Sequence, residues 1–289
     1  MRDYHLGRLD DRGRQILGSQ DHAEGPSPDR VEFLQPRHWV RAPLSAIRSL
    51  SRDTKVFTFK LDHEKQTSGL PVGQHLMMRL KDPATQDYVL RAYTPISEIS
   101  DKGSLDILVK LYSPVGDIPG GRMSMALDGL SVGDEVDFKG PVGRFEYLGS
   151  GKVAMRGEER MVKSFVMICG GSGITPIYQV FRAVLQDRMN DVSCTVLDGN
   201  RQEEDILLRD ELETLASRNG HRCRVVHTLT KGGDGWAGLR GRISEQLLQE
   251  EASPEEGKIA LLCGPPGLEA AAKSALLKMG WCESDMLTF

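Results

Sequence analysis

The chain has 289 residues, room for two domains of ordinary size. Its formal net charge of -4 argues against nucleic acid as the main partner. No apolar stretch approaches the length of a membrane span, and the N-terminal run MRDYHLGRLDDRGRQ is charged from its second residue, so neither a membrane anchor nor a secretory signal is expected.

Residues 1–36 read as a segment distinct from the rest of the chain, and within it 21–30 (DHAEGPSPDR) is polar, rich in turn formers and linker-like. From 37 to 148 short strands alternate with turns, over 39–50, 55–61, 75–80, 88–95, 105–112 and 135–138, a spacing that predicts an antiparallel β-barrel. A short helix is expected from the Gly120–Gly121 pair to about Leu127. Residues 149–161 (GSGKVAMRGEERM) read as a connector. From 162 to 289 strands at 165–169, 194–197, 224–229 and 259–262 alternate with helices at 177–187, 206–217, 244–250 and 268–279. That alternation predicts a parallel α/β, Rossmann-like domain. The five cysteines, Cys169, Cys194, Cys223, Cys263 and Cys282, include no C-x-x-C pair, so no zinc or iron–sulfur site is expected, and no metal site of any kind is assigned. Reduced thiols in a cytoplasmic protein are the simplest account.

Three runs carry chemistry. In 170–176 (GGSGITP) three glycines follow an apolar strand and precede helical spacing at Ile177, Val180, Phe181, Val184 and Leu185. Such a turn lets backbone amides approach a phosphate at a helix start, although Pro176 replaces the third glycine of the common dinucleotide fingerprint. The alternative is a glycine turn without a ligand. In 88–97 (YVLRAYTPIS) strand alternation puts Leu90, Ala92 and Thr94 on one face and Arg91 and Tyr93 on the other. An arginine can grip a pyrophosphate bidentately, and a tyrosine beside it offers a flat face to a ring. The alternative is an ordinary half-exposed strand. In 263–267 (CGPPG) Cys263 ends a parallel strand, where ligands bind in open α/β sheets; the alternative is a structural buried thiol.

In this order the three runs resemble those of the flavin-dependent pyridine-nucleotide reductases of the ferredoxin-reductase superfamily, and most closely the cytochrome-b5 reductase branch. The resemblance implies FAD held at Arg91, Ala92, Tyr93 and Thr94, with the Thr94 hydroxyl near the flavin N5. It implies Leu108, Val109, Lys110, Leu111 and Tyr112 along the flavin, and Arg122, Met123 and Ser124 near its phosphates. It also implies a nucleotide held at Gly171, Ser172, Gly173, Thr175, Cys263, Gly264, Pro265 and Pro266, with Cys263 orienting the nicotinamide. Thr94, Lys110 and Cys263 are the catalytic candidates; Lys110 either attracts the anionic nucleotide or is a solvated strand lysine. Relatives carry aromatics where this chain has Ser113 and Ile118, so that edge cover is missing.

Residues 201–205 (RQEED) follow the second parallel strand, where such folds meet the adenosine ribose. Asp205 is the family-matched acceptor for the ribose and also a candidate N-cap for a helix starting at Ile206. Three acids against Arg201 favour NADH over NADPH. Asp3–Leu9 (DYHLGRL) resembles the end of the cytochrome-b5-type haem domain that precedes the flavin domain in eukaryotic assimilatory nitrate reductases, the polar stretch after it resembles their hinge, and the final DMLTF resembles their carboxyl terminus. The implied partners are therefore NADH and a haem domain of the same polypeptide. The implied activity is hydride transfer from NADH to FAD, with single electrons passed on to a haem or an artificial acceptor, and no nitrate reduction by this chain alone. A free-standing NADH-cytochrome-b5 reductase and a cofactor-free interaction module are the competing readings.

Overall fold

A computed structural model describes residues 31–289. The hinge expected over 21–30 and the haem-domain match at Asp3–Leu9 lie outside the described residues. The chain runs β1 (Val40–Ser51), β2 (Thr54–Lys60), β3 (His75–Lys81), β4 (Tyr88–Tyr93), β5 (Ser104–Lys110), α1 (Arg122–Asp128) and β6 (Glu135–Val142). In β1 the buried Val40, Ala42 and Leu44 alternate with exposed Arg41, Pro43 and Ser45, the two-residue period of a half-buried strand. The six strands form an antiparallel sheet in the order β4-β3-β6-β1-β2-β5. Just past β4 the Ile96 N–H donates to the Asp106 carbonyl of β5 at 2.9 Å, so the two ends of the sheet meet and the barrel closes.

The boundary expected at 36/37 falls too late. Phe33 is 0% exposed and packs edge-on to Phe138 at 5.8 Å between centroids, and its N–H donates to the Thr67 carbonyl. Two buried apolar residues in a polar surround, Phe33 and Leu34, are too short a signal to read as an element, yet they close one end of the barrel core.

The expected connector is likewise folded. Strands β7 (Phe145–Gly149), β8 (Lys152–Met155) and β9 (Glu158–Met161) make a three-stranded antiparallel sheet. Phe145, Tyr147, Val153 and Met155 are buried in the core of the second domain, so this sheet packs with the α/β unit although it straddles the expected boundary at 148/149.

The second domain comprises β10 (Ser164–Cys169), α2 (Ile174–Gln186), β11 (Ser193–Asn200), α3 (Arg209–Arg218), β12 (Cys223–Leu229), β13 (Leu239–Arg240), α4 (Glu245–Glu251), β14 (Lys258–Cys263), α5 (Pro266–Lys278) and β15 (Met286–Thr288). Its sheet is parallel, in the order β13-β12-β11-β10-β14-β15. Five consecutive residues of β10, Phe165–Cys169, are buried. Phe165, Met167 and Cys169 join one apolar cluster, and Val166 and Ile168 the other. Both faces are covered, which is why this strand reads as a continuous apolar run.

Helix α2 joins the two domains through polar groups that are themselves buried. Gln179 Oε1 accepts from the Gly73 N–H at 2.6 Å, and Arg182 donates to the carbonyls of Ile96 and Ser97 at 2.9 and 2.7 Å. Val56 and Leu108 of the barrel pack into the core of the α/β domain. This junction sets β5 beside the turn that follows β10.

Candidate active site

Three chain segments meet at this cleft. The strand β10 ends in a tight turn at Gly171–Gly173 that leads directly into α2, with Pro176 in the first helical turn, where its missing N–H is harmless. A Cβ on Gly173 would lie 2.2 Å from the Cys263 carbonyl oxygen, and one on Gly170 would lie 2.6 Å from the Gly199 carbonyl. Only glycine permits backbones to approach so closely. These contacts press the turn against the ends of β14 and β11, and Gly171 (φ +57°) lies in the left-handed region, with open space around it. Strand β5 runs beside the same turn. Strand β5, the glycine turn and Cys263–Gly264 are thus brought together, and the end of β4 is joined to β5 through the Ile96–Asp106 hydrogen bond.

On the barrel side, Arg91 and Tyr93 share the inner face with buried Val89, while Leu90 and Ala92 are exposed, as the alternation predicts. Thr94 departs from it. The strand stops at Tyr93, and Thr94 turns inward and is buried. Its hydroxyl bonds no other described residue. The Arg91 guanidinium donates to the adjacent Leu90 carbonyl and pairs with no carboxylate among the described residues. The Tyr93 ring packs on the barrel core beside Arg91 and Tyr112, and burial pushes its phenol up. An uncompensated guanidinium, a half-buried ring and, on buried Thr94, a reachable hydroxyl with no protein partner among the described residues fit a flavin nucleotide such as FAD.

Helix α1 is less open than expected. Arg122 donates to Asp82 at 2.7 Å and to Thr85 at 3.0 Å, and this bond holds the Asp82 carboxyl below its usual range. Ser124 Oγ accepts from the Tyr112 N–H at 3.1 Å and donates to the Gly121 carbonyl at 3.0 Å. Both side chains brace the local fold, and Met123 is buried in the barrel core. Leu108, Val109 and Leu111 are buried, leaving Lys110 and half-exposed Tyr112 as the polar face of this stretch.

Lys110 is not a solvated lysine. Its Nζ donates to Asp205 Oδ1 at 2.7 Å and lies 3.1 Å from Asp53 Oδ2. Burial opposes the ammonium, but the hydrogen bonds to Asp205 and then Asp53 outweigh it and raise its pKa. The pair with Asp205 spans the cleft from barrel to α/β domain.

Asp205 does not cap a helix at Ile206. It ends a 3-10 turn, Glu203–Asp205, whose Gln202 N–H donates back to Asp205 Oδ2. Residues 206–208 then pass through a left-handed Leu208 (φ +55°), and α3 begins at Arg209. Buried Ile206, Leu207 and Leu208 mimic the start of a helical stripe in sequence while packing as an irregular segment.

Cys263 closes β14 beside Cys169 of β10. Burial, reinforced by Glu269, pushes its thiol up to about 12, so it is neutral at physiological pH and suited to packing against a ring rather than to nucleophilic attack. The Gly264 N–H donates to Glu269, Pro265 caps α5 and Pro266 is its first residue. Thr175 donates to the Ser172 carbonyl at 3.1 Å, tying the glycine turn to α2.

Three polar residues that the sequence pattern did not single out lie under the turn. They are Asp198 and Asn200 of β11 and His227 of β12. Alternation of Asp198 and Asn200 with Leu197 and Gly199 is the only trace they leave in the sequence. No helix of the described residues is long and apolar enough to cross a membrane.

The chain matches an oxidoreductase FAD-binding domain family over residues 41–147 and an oxidoreductase NAD-binding domain family over 167–274. It is similar to a nitrate reductase [NADPH] of Aspergillus niger, 50% identical over all of this chain and 33% of that protein. It is 39% identical to a nitrate reductase [NADH] of Lotus japonicus, over 91% of this chain and 30% of that one. Among solved structures it is similar to the cytochrome b5 reductase domain of Ulva prolifera nitrate reductase, with a TM-score of 0.85 and 36% identity over 89% of this chain and 100% of that one. The chain spans about a third of the length of these curated relatives.

Proposed function

Because the chain belongs to the family of cytochrome b5 reductase domains of nitrate reductases, FAD-dependent oxidoreductases that pass electrons from a pyridine nucleotide to FAD, we propose that it serves as the flavin module of a longer nitrate reductase. Electrons leave it for a cytochrome-b5-type haem domain of the same polypeptide, and nitrate is reduced elsewhere. The observation that carries this reading is the meeting of β5, the Gly171–Gly173 turn and Cys263, with the end of the Arg91–Thr94 strand joined to β5 through the Ile96–Asp106 hydrogen bond.

When bound, FAD accepts a hydride and releases electrons singly. The chain supplies binding and alignment. Arg91 would neutralise the flavin pyrophosphate, Tyr93 would offer its ring, and the Thr94 hydroxyl would donate or accept a hydrogen bond at the flavin ring. The glycine turn presents backbone amides to the nucleotide pyrophosphate at the start of α2. Cys263, as a neutral thiol, packs against the nicotinamide and fixes its approach, while the α2 junction holds the two halves in one geometry.

Two observations bear on nucleotide choice. Asp205 is engaged by Lys110, and Glu203 by Arg209 at 2.5 Å. Arg201 is exposed with no side-chain partner among the described residues, and exposed Lys231 begins beside it, its N–H donating to the Arg201 carbonyl at 2.7 Å. Two available cations beside partly neutralised acids favour a 2′-phosphate, in line with the NADPH of the Aspergillus niger relative. We therefore take NADPH as the preferred donor. NADH, favoured by the acid count of 203–205 and by the Lotus japonicus relative, is the second substrate.

The test is direct. The FAD-loaded chain should reduce ferricyanide with NADPH and NADH and form no nitrite from nitrate, and Arg91→Ala should purify with much less FAD. Nitrite formed by this chain alone, or full FAD occupancy at unchanged affinity in Arg91→Ala, would overturn the assignment.

A further inference from the structure

A chain of buried polar groups runs beneath the nucleotide turn. Asp198 is 1% exposed and Asn200 is 7% exposed, and the two-residue period of β11 puts them on one face. Asn200 Nδ2 donates to Asp198 Oδ2 at 2.8 Å, and His227 Nδ1 lies 3.0 Å from the same oxygen. Cys169 Sγ donates to Asp198 Oδ1 at 3.6 Å. At the far end, Asn200 Oδ1 accepts from the Gly171 N–H at 3.0 Å. Three strands are thereby tied to the turn through one carboxylate and one amide.

Chemistry fixes the direction of this chain. A carboxylate accepts hydrogen bonds and donates none, so Asn200 must turn its NH2 group to Asp198. Only its oxygen is then left to face Gly171. His227 Nδ1 must carry its hydrogen for the same reason, and Nε2 is buried without a partner, so Asp198 is the imidazole's only polar anchor among the described residues. Flipping Asn200 would set NH2 against the Gly171 N–H and oxygen against carboxylate, two conflicts in a dry site. Apolar residues would fill these positions at lower desolvation cost, as Val196 and Leu197 do earlier in the strand. The one end of the chain that leaves the sheet is Gly171.

We propose that Asn200 and Asp198 are positioning residues for the pyridine nucleotide. The Asp198–Asn200 pair, backed by His227, holds the Gly171 amide and so sets the turn on which the nucleotide pyrophosphate binds. This rests on the function proposed above and adds the groups that shape its nucleotide subsite.

The experiment uses the FAD-loaded chain and reads the Kd of NADP+ and NAD+ by calorimetry, together with KM and kcat for ferricyanide reduction. Asn200→Asp is isosteric and sets acceptor against acceptor. It should weaken nucleotide binding and raise KM by about tenfold, the scale of one buried hydrogen bond turned repulsive, with kcat and the bound-flavin spectrum near those of the parent. Asp198→Asn, which frees the amide to flip, should raise both constants by about threefold. Combining the two exchanges restores a donor at 198 and an acceptor at 200, and should recover part of the loss. Kd and KM within twofold of the parent in both single variants would overturn the proposal. So would a loss confined to kcat, or a double variant no better than Asn200→Asp. If Asn200→Asp does not fold, Asp198→Asn decides by the same criteria. A parent that binds neither nucleotide would instead overturn the function itself.

Discussion

Replacing Lys110 by methionine should shift nucleotide preference toward NADH, and the structure sets the size of the shift. Methionine keeps an apolar stem of similar length and removes the ammonium that bonds Asp205 at 2.7 Å and Asp53 at 3.1 Å. The Lys110 and Asp205 side chains are 16% and 21% exposed, so the pair is neither a surface contact nor a dry one. A hydrogen bond to a charged group contributes about 1.5–3 kcal/mol when buried and under about 1 kcal/mol when exposed, which brackets this pair at about 1–2 kcal/mol. Without the ammonium, Asp205 carries an uncompensated charge where the ribose is expected to bind. A 2′-phosphate is then repelled, while the 2′-hydroxyl of NADH still has an acceptor. The ratio of kcat/KM for NADPH over NADH should fall by about 5- to 30-fold. Loss of general attraction for anionic nucleotides acts on both substrates and cancels in the ratio. Steady-state ferricyanide assays with each nucleotide measure it. A ratio unchanged within twofold, or moved toward NADPH, would refute the argument. Asp205→Ser provides the opposite arm and should raise the ratio.

Cys263→Ser should slow flavin reduction in stopped flow far more than it weakens nucleotide binding, by up to about a hundredfold for a misplaced hydride donor; identical traces would remove the orienting role. In the parent, with the thiol held up to about 12, iodoacetamide should label Cys263 slowly at pH 8, and a rapid reaction there would contradict its burial. Asp187 tests the acid side. Burial opposes its ionisation, but the N–H groups of Ser150 and Met189, then Tyr147 Oη–H, hold its pKa down to about 2. Because the folded value lies below the unfolded one of about 3.9, its stabilisation is present above pH 4 and is lost as pH falls toward 2. Asp187→Asn should be less stable than the parent at pH 7 and flatter in Tm across that window; parallel curves would show that the carboxylate is not the group involved. Phe33→Ala should destabilise the barrel by about 3–5 kcal/mol in denaturant titrations, as for a buried core aromatic, and a cost under 1 kcal/mol would return residues 31–36 to the hinge.

What could be read in the sequence was what repeats or what glycine and proline mark. The period of two over Val40–Ser45 of β1 and the unbroken apolar run of Phe165–Cys169 in β10 each report a strand because burial is imposed on several successive positions. The runs at 91–97, 170–176 and 263–267 are legible because a close backbone approach or a chain reversal demands particular residues. Phe33 and Leu34, the three short strands from 145 to 161, and β15 left no period long enough to detect. The sequence-level error at Asp205 has a different origin. An acid followed by three apolar residues satisfies a capping rule locally, and only the left-handed Leu208 shows that the helix starts later. The buried Asp198–Asn200–His227 chain was hidden for a third reason. His227 lies 29 residues from Asp198 and each member is ordinary singly, so they acquire meaning only when the parallel register sets Asp198 opposite His227. Pairings between strands decide where a buried polar group can be satisfied, and a single sequence does not state them. The parts of the candidate site that bind through backbone geometry were therefore visible first, and the side chains that hold that geometry became visible only with the fold.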